Sequence, residues 1–500
     1  MHSSPKIYPA RAAESAKVGA ALEVLGCLTA VAAATLCFLA GWLTCDEAAV
    51  FTLLLLLSLI GLAWKRFDGG RHPCFFFLCM LTLFQAGRLI AYCCGGERDI
   101  FRVTLMTPYP FDVSREVAGL VLLSIALSAI CIYAPCRWNY RSFSPPRSGS
   151  FERFLPYLYL LFGLSVPVQL YKNFCYYRYA KEHGGYLVIF VDHGGMAASI
   201  PVAVRAISLI SLPALVGICV LERRQQFLRT ATTLYFAITA PILLLGSRGA
   251  TFSLVLSLWY LAKVKSGRRA RFYSVAFLGA GLVLAGSWIG SFRAGNLESS
   301  VLAGASQFVA GQGSSINVTE VAFAYRRNFA PHIVSNLADE LRSAFFPTDH
   351  RAYVAGKNFD ADVSMFLNPT AYQMGNGSGS TYLAEAYLAG GLWGVVLVSA
   401  LLGALFHRMH RYSRNPLGLF LVAMILPDLL LMPRGGLLDW ASASLRVGIS
   451  LFLLLAGWGF YRAIARIGGI LWGSNWALDH RVPKSPMQIL ATEELFGGSP

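Results

Sequence analysis

The sequence predicts an all-α, polytopic membrane protein with about twelve transmembrane helices and a long, partly helical periplasmic loop. Three observations predict it. Of 500 residues, 56% are hydrophobic and only 14% charged, against about 25% charged in an ordinary soluble domain. Mean hydropathy is +0.54, and apolar runs approaching the roughly 20 residues a bilayer demands recur along the chain. Most of the lysines and arginines gather in short clusters after alternate runs, as in cytoplasmic loops. This composition excludes a soluble enzyme and a disordered chain. A net charge of +16 would suggest nucleic acid only if gathered on one polar surface. Here it reads as topology, and no nucleic-acid partner is expected.

The elements follow in order. Residues 1–17 are polar and read as a cytoplasmic N-terminus. The run 18–43 is too long for a signal-peptide core and reads as the first span. The next eight are 47–64, 74–94, 116–136, 153–171, 201–221, 229–246, 250–264 and 272–290. The last three are 381–406, 416–433 and 446–464, within a region bounded at 381–464. Basic clusters such as Lys65/Arg66/Arg71, Arg137/Arg141/Arg147/Arg153, Lys263/Lys265/Arg268 and Arg408/Arg411/Arg414 fall in every second loop. The positive-inside rule then places both termini and all these clusters in the cytoplasm. The opposite loops include 95–115, 172–200, the tight turn 247–249 and the long 291–380. Loops longer than about 15 residues usually have a function. The long one reads as partly helical and ends in a Gly/Ser stretch, Gly375–Ser380, taken as a hinge before span ten. Residues 465–500 read as a cytoplasmic tail.

Eleven cysteines, seven of them in or at the ends of apolar runs, read as small packing residues. No CxxC pair stands beside histidines, and there is no HExxH or GxSxG, so no metal and no serine nucleophile are expected. No repeat of 20–50 residues is visible, which weighs against a transporter built from repeats. Asn317-Val318-Thr319 fits a glycosylation sequon by chance.

Ionisable residues at membrane depth are costly and therefore informative. Glu23 lies near the cytoplasmic end of its span, where it can reach the interface. Arg88, Arg205, Glu385, Asp428 and Arg446 all fall in the outer halves of their spans on this topology. Arg248, Arg293 and Arg434 join them at outer helix ends, each beside or one residue from glycine: Gly246-Ser247-Arg248-Gly249, Arg293-Ala294-Gly295 and Pro433-Arg434-Gly435-Gly436. Arginine's planar fork binds phosphate oxygens bidentately, and glycine lets a bulky anion approach the backbone. The free N–H groups at the start of span eight add a phosphate-binding helix end. A one-sided group of this kind predicts a diphosphate-lipid site. A pump or flippase would instead need charges along a path through the bilayer. Boundary anchoring of Arg248 and a structural Asp428–Arg434 ion pair remain the plainer readings of those residues.

On the segments LLLGSRGATFSLVLSLW (243–259), FRAGN (292–296), FLNPTAYQMGNGSGSTYLAEAYLAGGLWGVVLVSALLG (366–403) and LMPRGGLLDW (431–440), the chain resembles the Wzy-type O-antigen and exopolysaccharide repeat-unit polymerases. These belong to a wider class that includes O-antigen ligases. The resemblance implies a metal-independent GT-C-type glycosyltransferase, without cofactor, at the periplasmic face of the bacterial inner membrane. Its substrates would be undecaprenyl-diphosphate-linked saccharides, with the growing chain as donor and a single repeat unit as acceptor. A chain-length regulator and a flippase of the same pathway would be its partners. Arg248, Arg293, Arg434 and Arg88 would hold the diphosphate leaving group, and a carboxylate would take the acceptor proton, Glu385 first and Asp428 second. Ligases carry a histidine before the span that begins here at Thr381; this chain has Gly379-Ser380-Thr381 instead, which favours polymerase over ligase, while the one-sided arginines disfavour the other alternative, a flippase or other transporter.

The topology makes a direct prediction. A reporter active only in the periplasm should work when fused near Gly356 and be silent near Gly267 or Arg411. Activity at Gly267 would overturn the helix count.

Overall fold

A computed structural model describes residues 8–96, 99–138, 140, 149–183, 193–244, 248–294, 301–332, 335, 338, 358–374 and 376–471. Among them the chain is almost entirely helical, the exception being one two-residue antiparallel pair, β1 (Arg102–Val103) and β2 (Phe111–Asp112). The chain divides into two compact units, Met1–Ser450 and Leu451–Pro500. The described part of the second unit is helix, and the candidate site lies within the first.

The principal helices are α1 (Tyr8–Leu39), α2 (Cys45–Arg66), α3 (Pro73–Cys93), α4 (Arg115–Trp138), α5 (Leu155–Glu182), α6 (Val202–Ser208), α7 (Ser211–Leu221), α8 (Gln225–Leu244), α9 (Arg248–Ser266) and α10 (Phe272–Ala294). The long loop then forms α11 (Val301–Gln312), α12 (Ser315–Ala324), α13 (Phe359–Leu367) and α14 (Pro369–Gln373). The chain continues through α15 (Tyr382–Tyr412), α16 (Pro416–Leu431) and α17 (Asp439–Leu471). Among the described residues, ten helices are long and apolar enough to cross a membrane, α6 and α7 counting together as one. The two expected spans outside that set, 229–246 and 250–264, coincide with α8 and α9. Both are helical, but Gln225, Gln226 and Arg229 in α8 and Arg248, Lys263 and Lys265 in α9 dilute their apolar character.

Helix starts follow local chemistry. Thr44 and Glu47 form a reciprocal capping box at α2. Thr381 caps α15 through Ala384 N at 3.0 Å, and Asn415 caps α16 ahead of Pro416. At the basic end of the bundle, Glu23 of α1 pairs with Arg66 of α2 and, at 3.1 Å, with Arg137 of α4. Asp68 there accepts from Arg269 and from the Tyr140 hydroxyl, both at 2.8 Å. Glycine sets the closest helix contacts. A Cβ on Gly403 of α15 would stand 2.5 Å from the Ile132 carbonyl of α4, and one on Gly87 of α3 would meet the Val309 carbonyl of α11 at 2.5 Å.

The expected span over 381–406 is not one straight helix. At Gly390 (φ −155°, ψ 21°) and Gly391 (φ 60°, ψ −147°) the backbone leaves the helical region, dividing α15 into two helices. The first, 382–389, is nearly all buried. Ala384 and Leu388 join Val103, Val318, Val321, Ala322, Phe329, Phe359, Val363 and Leu367 in one apolar core. The start of span ten is therefore packed into the long loop's own core. Beyond the kink, Trp393, Leu397 and Leu401 are exposed, as on a lipid-facing helix. The Gly/Ser stretch before Tyr382 is stitched to α13: Ser378 N donates to Ser364 Oγ at 2.8 Å, and the two hydroxyls lie 2.9 Å apart.

The conformation at Gly391 belongs to a region essentially reserved for glycine, and forcing another residue there costs about 1–3 kcal/mol. Gly394 is constrained differently, since its Cβ would fall 2.1 Å from the Ala386 carbonyl. Gly391→Ala and Gly394→Ala should each lower the unfolding temperature of the detergent-purified protein. Gly279→Ala, with nothing within 4 Å of the added Cβ, should not. Equal stability of all three would contradict the kink.

Candidate functional site

The turn after α16, Met432–Leu437, gathers polar partners from four separate parts of the chain. The Pro433 carbonyl accepts from Gln85 Nε2 of α3 at 2.6 Å. Arg434 Nη1 donates to Gln312 Oε1 at the end of α11, and its guanidinium lies 5.9 Å from the centre of the Phe84 ring. Leu437 N donates to Glu385 Oε2 at 3.0 Å, while Ser380 Oγ donates to Glu385 Oε1 at 2.7 Å. Gly436 N donates to Asp439 Oδ2 at 2.6 Å. Two carboxylates therefore crowd one glycine: a Cβ on Gly436 would stand 2.4 Å from Asp439 Oδ1 and 3.0 Å from Glu385 Oε1.

The network continues beneath the turn. Gln85 Oε1 accepts from Thr319 Oγ1 of α12 at 3.2 Å, and that hydroxyl lies 3.1 Å from Thr381 Oγ1. The Tyr382 hydroxyl is 2.6 Å from Ser128 Oγ of α4, which accepts from Ser399 Oγ at 2.8 Å. Gln85, Thr319, Thr381 and Glu385 are buried, whereas Arg434 is exposed. A rigid, satisfied polar floor thus presents one arginine outward.

Of the residues singled out from sequence, Glu385 and Arg434 meet at this turn. Asp428 lies on α16, half-buried, six residues before Arg434. Arg248 is the first residue of α9, and a Cβ on its neighbour Gly249 would lie 3.6 Å from Leu431 at the end of α16. The helix start bearing Arg248 therefore abuts the same turn. Arg293 is in the last turn of α10, which packs through Gly286 against Phe308 of α11 and Phe252 of α9. The side chains of Arg248 and Arg293 lie outside the described residues. Arg88 is placed differently. Buried on α3, it donates through Nη1 to the Arg102 carbonyl at 2.8 Å and through Nη2 to the Asp99 carbonyl at 2.6 Å. It clamps the 95–115 loop rather than opening outward.

Sequence reasoning passed over Asp439, Gln85, Gln312 and Glu320. Glu320 of α12 is fully buried, with Oε2 accepting from Asn317 Nδ2 at 2.6 Å and Oε1 without a hydrogen bond. Burial pushes its carboxyl up to about 8, against the opposing pulls of the Asn317 amide and the Arg88 charge. Asn317, in the sequon, is itself buried. His332 of the long loop is buried with Nε2 2.9 Å from Asp362 Oδ2, inside the loop's core. Among the described residues one group has metal-ligand composition: His72, Cys74 and Cys136, with ligand atoms within 4.8 Å of one another. Local contacts already engage it, since His72 Nδ1 accepts from Cys74 N at 3.1 Å and Cys136 Sγ lies 3.1 Å from the Gly403 carbonyl. It also lies at the start of α3, about 20 Å along the helix from Gln85.

Glu320 gives a pH prediction. Its folded pKa, about 8, exceeds the ordinary value of 4.5. Its contribution to stability is therefore complete below about pH 4.5 and is lost as pH rises through about 8. Glu320→Gln should remove that decline, so the variant gains on wild type in unfolding temperature between about pH 5 and pH 8.5. Parallel curves for the two proteins would refute the buried-carboxyl reading.

A family model described as O-antigen polysaccharide polymerase Wzy matches residues 30–461, most of the chain. No curated protein and no solved structure matches it.

Proposed function

The chain belongs to the O-antigen polysaccharide polymerase Wzy family, and from that premise we propose where and how it works. Family membership makes it a multi-pass membrane enzyme of polysaccharide synthesis that joins saccharide repeat units. In our reading the units are carried on undecaprenyl diphosphate, and the reaction takes place at the periplasmic face of the inner membrane. Both termini and the basic loops are cytoplasmic. The growing chain is transferred from its lipid carrier onto a new lipid-linked unit. The glycosidic bond to the donor diphosphate breaks as the acceptor hydroxyl attacks, and the lipid diphosphate leaves.

The observation that carries this is the turn Met432–Leu437. It holds Arg434 outward over a buried polar floor, beside the helix start that bears Arg248. Arg248, Arg293 and Arg434 supply the fixed positive charge that stabilises the departing diphosphate, with no metal required. The first N–H groups of α9 reinforce Arg248. Arg88 acts indirectly by holding the 95–115 loop. Glu385 is the first candidate to take the acceptor proton and Asp428 the second. Asp439, which shares Gly436 with Glu385, keeps the turn closed.

Arg248→Ala and Arg293→Ala should abolish long chains at normal protein levels. A charge-assisted contact is worth about 1.5–3 kcal/mol, so each loss slows transfer roughly 10- to 150-fold if the contact tightens in the transition state. Lysine should restore activity only in part, since a point charge lacks the forked geometry. Wild-type polymer from both alanine variants would sink the assignment. Glu385→Gln should bind lipid-linked substrate yet make almost no polymer per folded molecule. Near-normal turnover would instead leave Glu385 as the pin of Leu437 and Ser380 and move the base to Asp428.

A further inference from the structure

The kink in α15 carries a cationic roof. Arg326, in the turn after α12, has its guanidinium 5.3 Å from the centre of the Tyr387 ring. A Cβ on Gly391 would stand 3.9 Å from its Nη1. Tyr387 is stacked on Phe323 of α12, with ring centres 3.6 Å apart, so the aromatic support beneath the arginine is itself fixed. Arg327 and Asn328 follow in the chain, and all three residues are exposed.

The kink also marks where lipid begins. The helix before it is buried in the long loop's core. After it, Trp393, 83% exposed, begins an apolar face that continues through Leu397 and Leu401, one every four residues. In a chain that crosses a membrane this face lies against acyl chains, and a tryptophan at its top marks the interface. Ala389 and Gly390, at the kink itself, are exposed, and nothing lies within 4 Å of a Cβ on Gly390. Arg326 therefore stands at the level of the headgroups, on the side of the membrane that the long loop occupies, with open space beside it.

Among the described residues neither Arg326 nor Arg327 forms an ion pair. The described carboxylates of the long loop are engaged within it: Glu320 accepts from Asn317 at 2.6 Å, Asp360 from Ser364 at 3.2 Å, and Asp362 meets His332 at 2.9 Å. Nor does this roof belong to the Arg434 turn. Glu385, which holds that turn through Leu437 N, and Tyr387, which carries Arg326, are two residues apart. On a helix they point about 200° apart, to opposite sides of the segment 382–389. A ligand at Arg326 thus has a phosphate above and acyl chains below, and it lies behind the candidate site rather than in it.

We infer that Arg326 and Arg327 dock the headgroup of an anionic phospholipid whose acyl chains run down the Trp393–Leu401 face. The guanidinium fork takes the phosphate oxygens. The bound lipid braces helix 382–389 from the side away from the Arg434 turn. This surface does not depend on the reaction the protein performs.

The test uses the full chain in phosphatidylcholine nanodiscs, probed with a phosphatidylglycerol that carries a photoreactive headgroup. Labelled peptides should include 325–328 or 389–393. In Arg327→Gln labelling affinity should fall about fivefold, and in Arg326→Gln/Arg327→Gln about 30-fold. Arg326→Lys should keep part of it. Phosphatidylglycerol should raise the unfolding temperature of wild type and leave that of the double variant unchanged. Arg327→Gln, an exposed change, keeps the test decisive if the double variant folds poorly. Four results would overturn the inference: equal labelling by a phosphatidylcholine analogue, labelling that persists in the double variant, stronger labelling by an undecaprenyl diphosphate analogue, or a dimer in native mass spectra that buries the Trp393 face. None of them bears on the polymerase reading, which the activity of the Arg248 and Arg293 variants tests.

Discussion

A carboxylate buried as deeply as Glu385 must have its oxygens satisfied, and the candidate site is organised around doing so. One oxygen takes the Ser380 hydroxyl and the other the Leu437 amide. Those two bonds tie the end of the long loop, the short helix before the Gly390–Gly391 kink and the turn after α16 into one body. Breaking one partner of a buried charged group costs more than the bond is worth, because the remaining group stays dehydrated. The geometry of the Arg434 turn therefore depends on helix 382–389 staying docked in the loop's apolar core. The kink makes that docking possible. Without it the start of α15 would continue in line with the span and leave Leu437 N and the Thr319–Thr381 contact unpaired.

The same logic separates the two ends of the bundle. At the basic end, carboxylates and arginines neutralise one another: Glu23 with Arg66 and Arg137, Asp68 with Arg269. At the opposite end, Arg434 bonds to a neutral amide, Gln312, and Arg88 to backbone carbonyls. Charge compensated within the protein suits a structural interface, while the Gln312 contact sets where Arg434 stands at the candidate site.

Much of the fold was legible because hydropathy and loop charge are local properties. The α2, α3, α4 and α16 runs and the 201–221 span fall where apolar length places them, whereas α1 begins at Tyr8, inside the expected polar terminus, and α5 continues to Glu182, past the expected end at 171 into the expected outer loop. Glu385 was legible as an ionisable residue at a costly depth, and Arg434 as an arginine beside glycine at a helix end. Other features depend on contacts between distant segments and leave little local trace. Gly390-Gly391 reads as two tolerated glycines in an apolar run until the loop core that captures Leu388 is known. Arg88 looked like one more outer arginine, yet the 95–115 loop folds back to meet it. Glu320 and Asn317 sit in a segment whose composition is that of an ordinary amphipathic loop helix, and only tertiary packing buries them. Asp439 was hidden by its position at the start of the last helix, where a carboxylate is expected for capping alone.

A polymerase of lipid-linked repeat units leaves a defined trace when it is lost, read in the surface glycan profile of a strain lacking it with lipid-linked intermediates analysed in parallel. Lipid cores that each carry a single repeat unit are expected, with long chains gone and restored by the wild-type gene. Cores bearing no repeat unit at all would contradict it, pointing to a ligase, or to a flippase if the lipid-linked units were trapped on the cytoplasmic side.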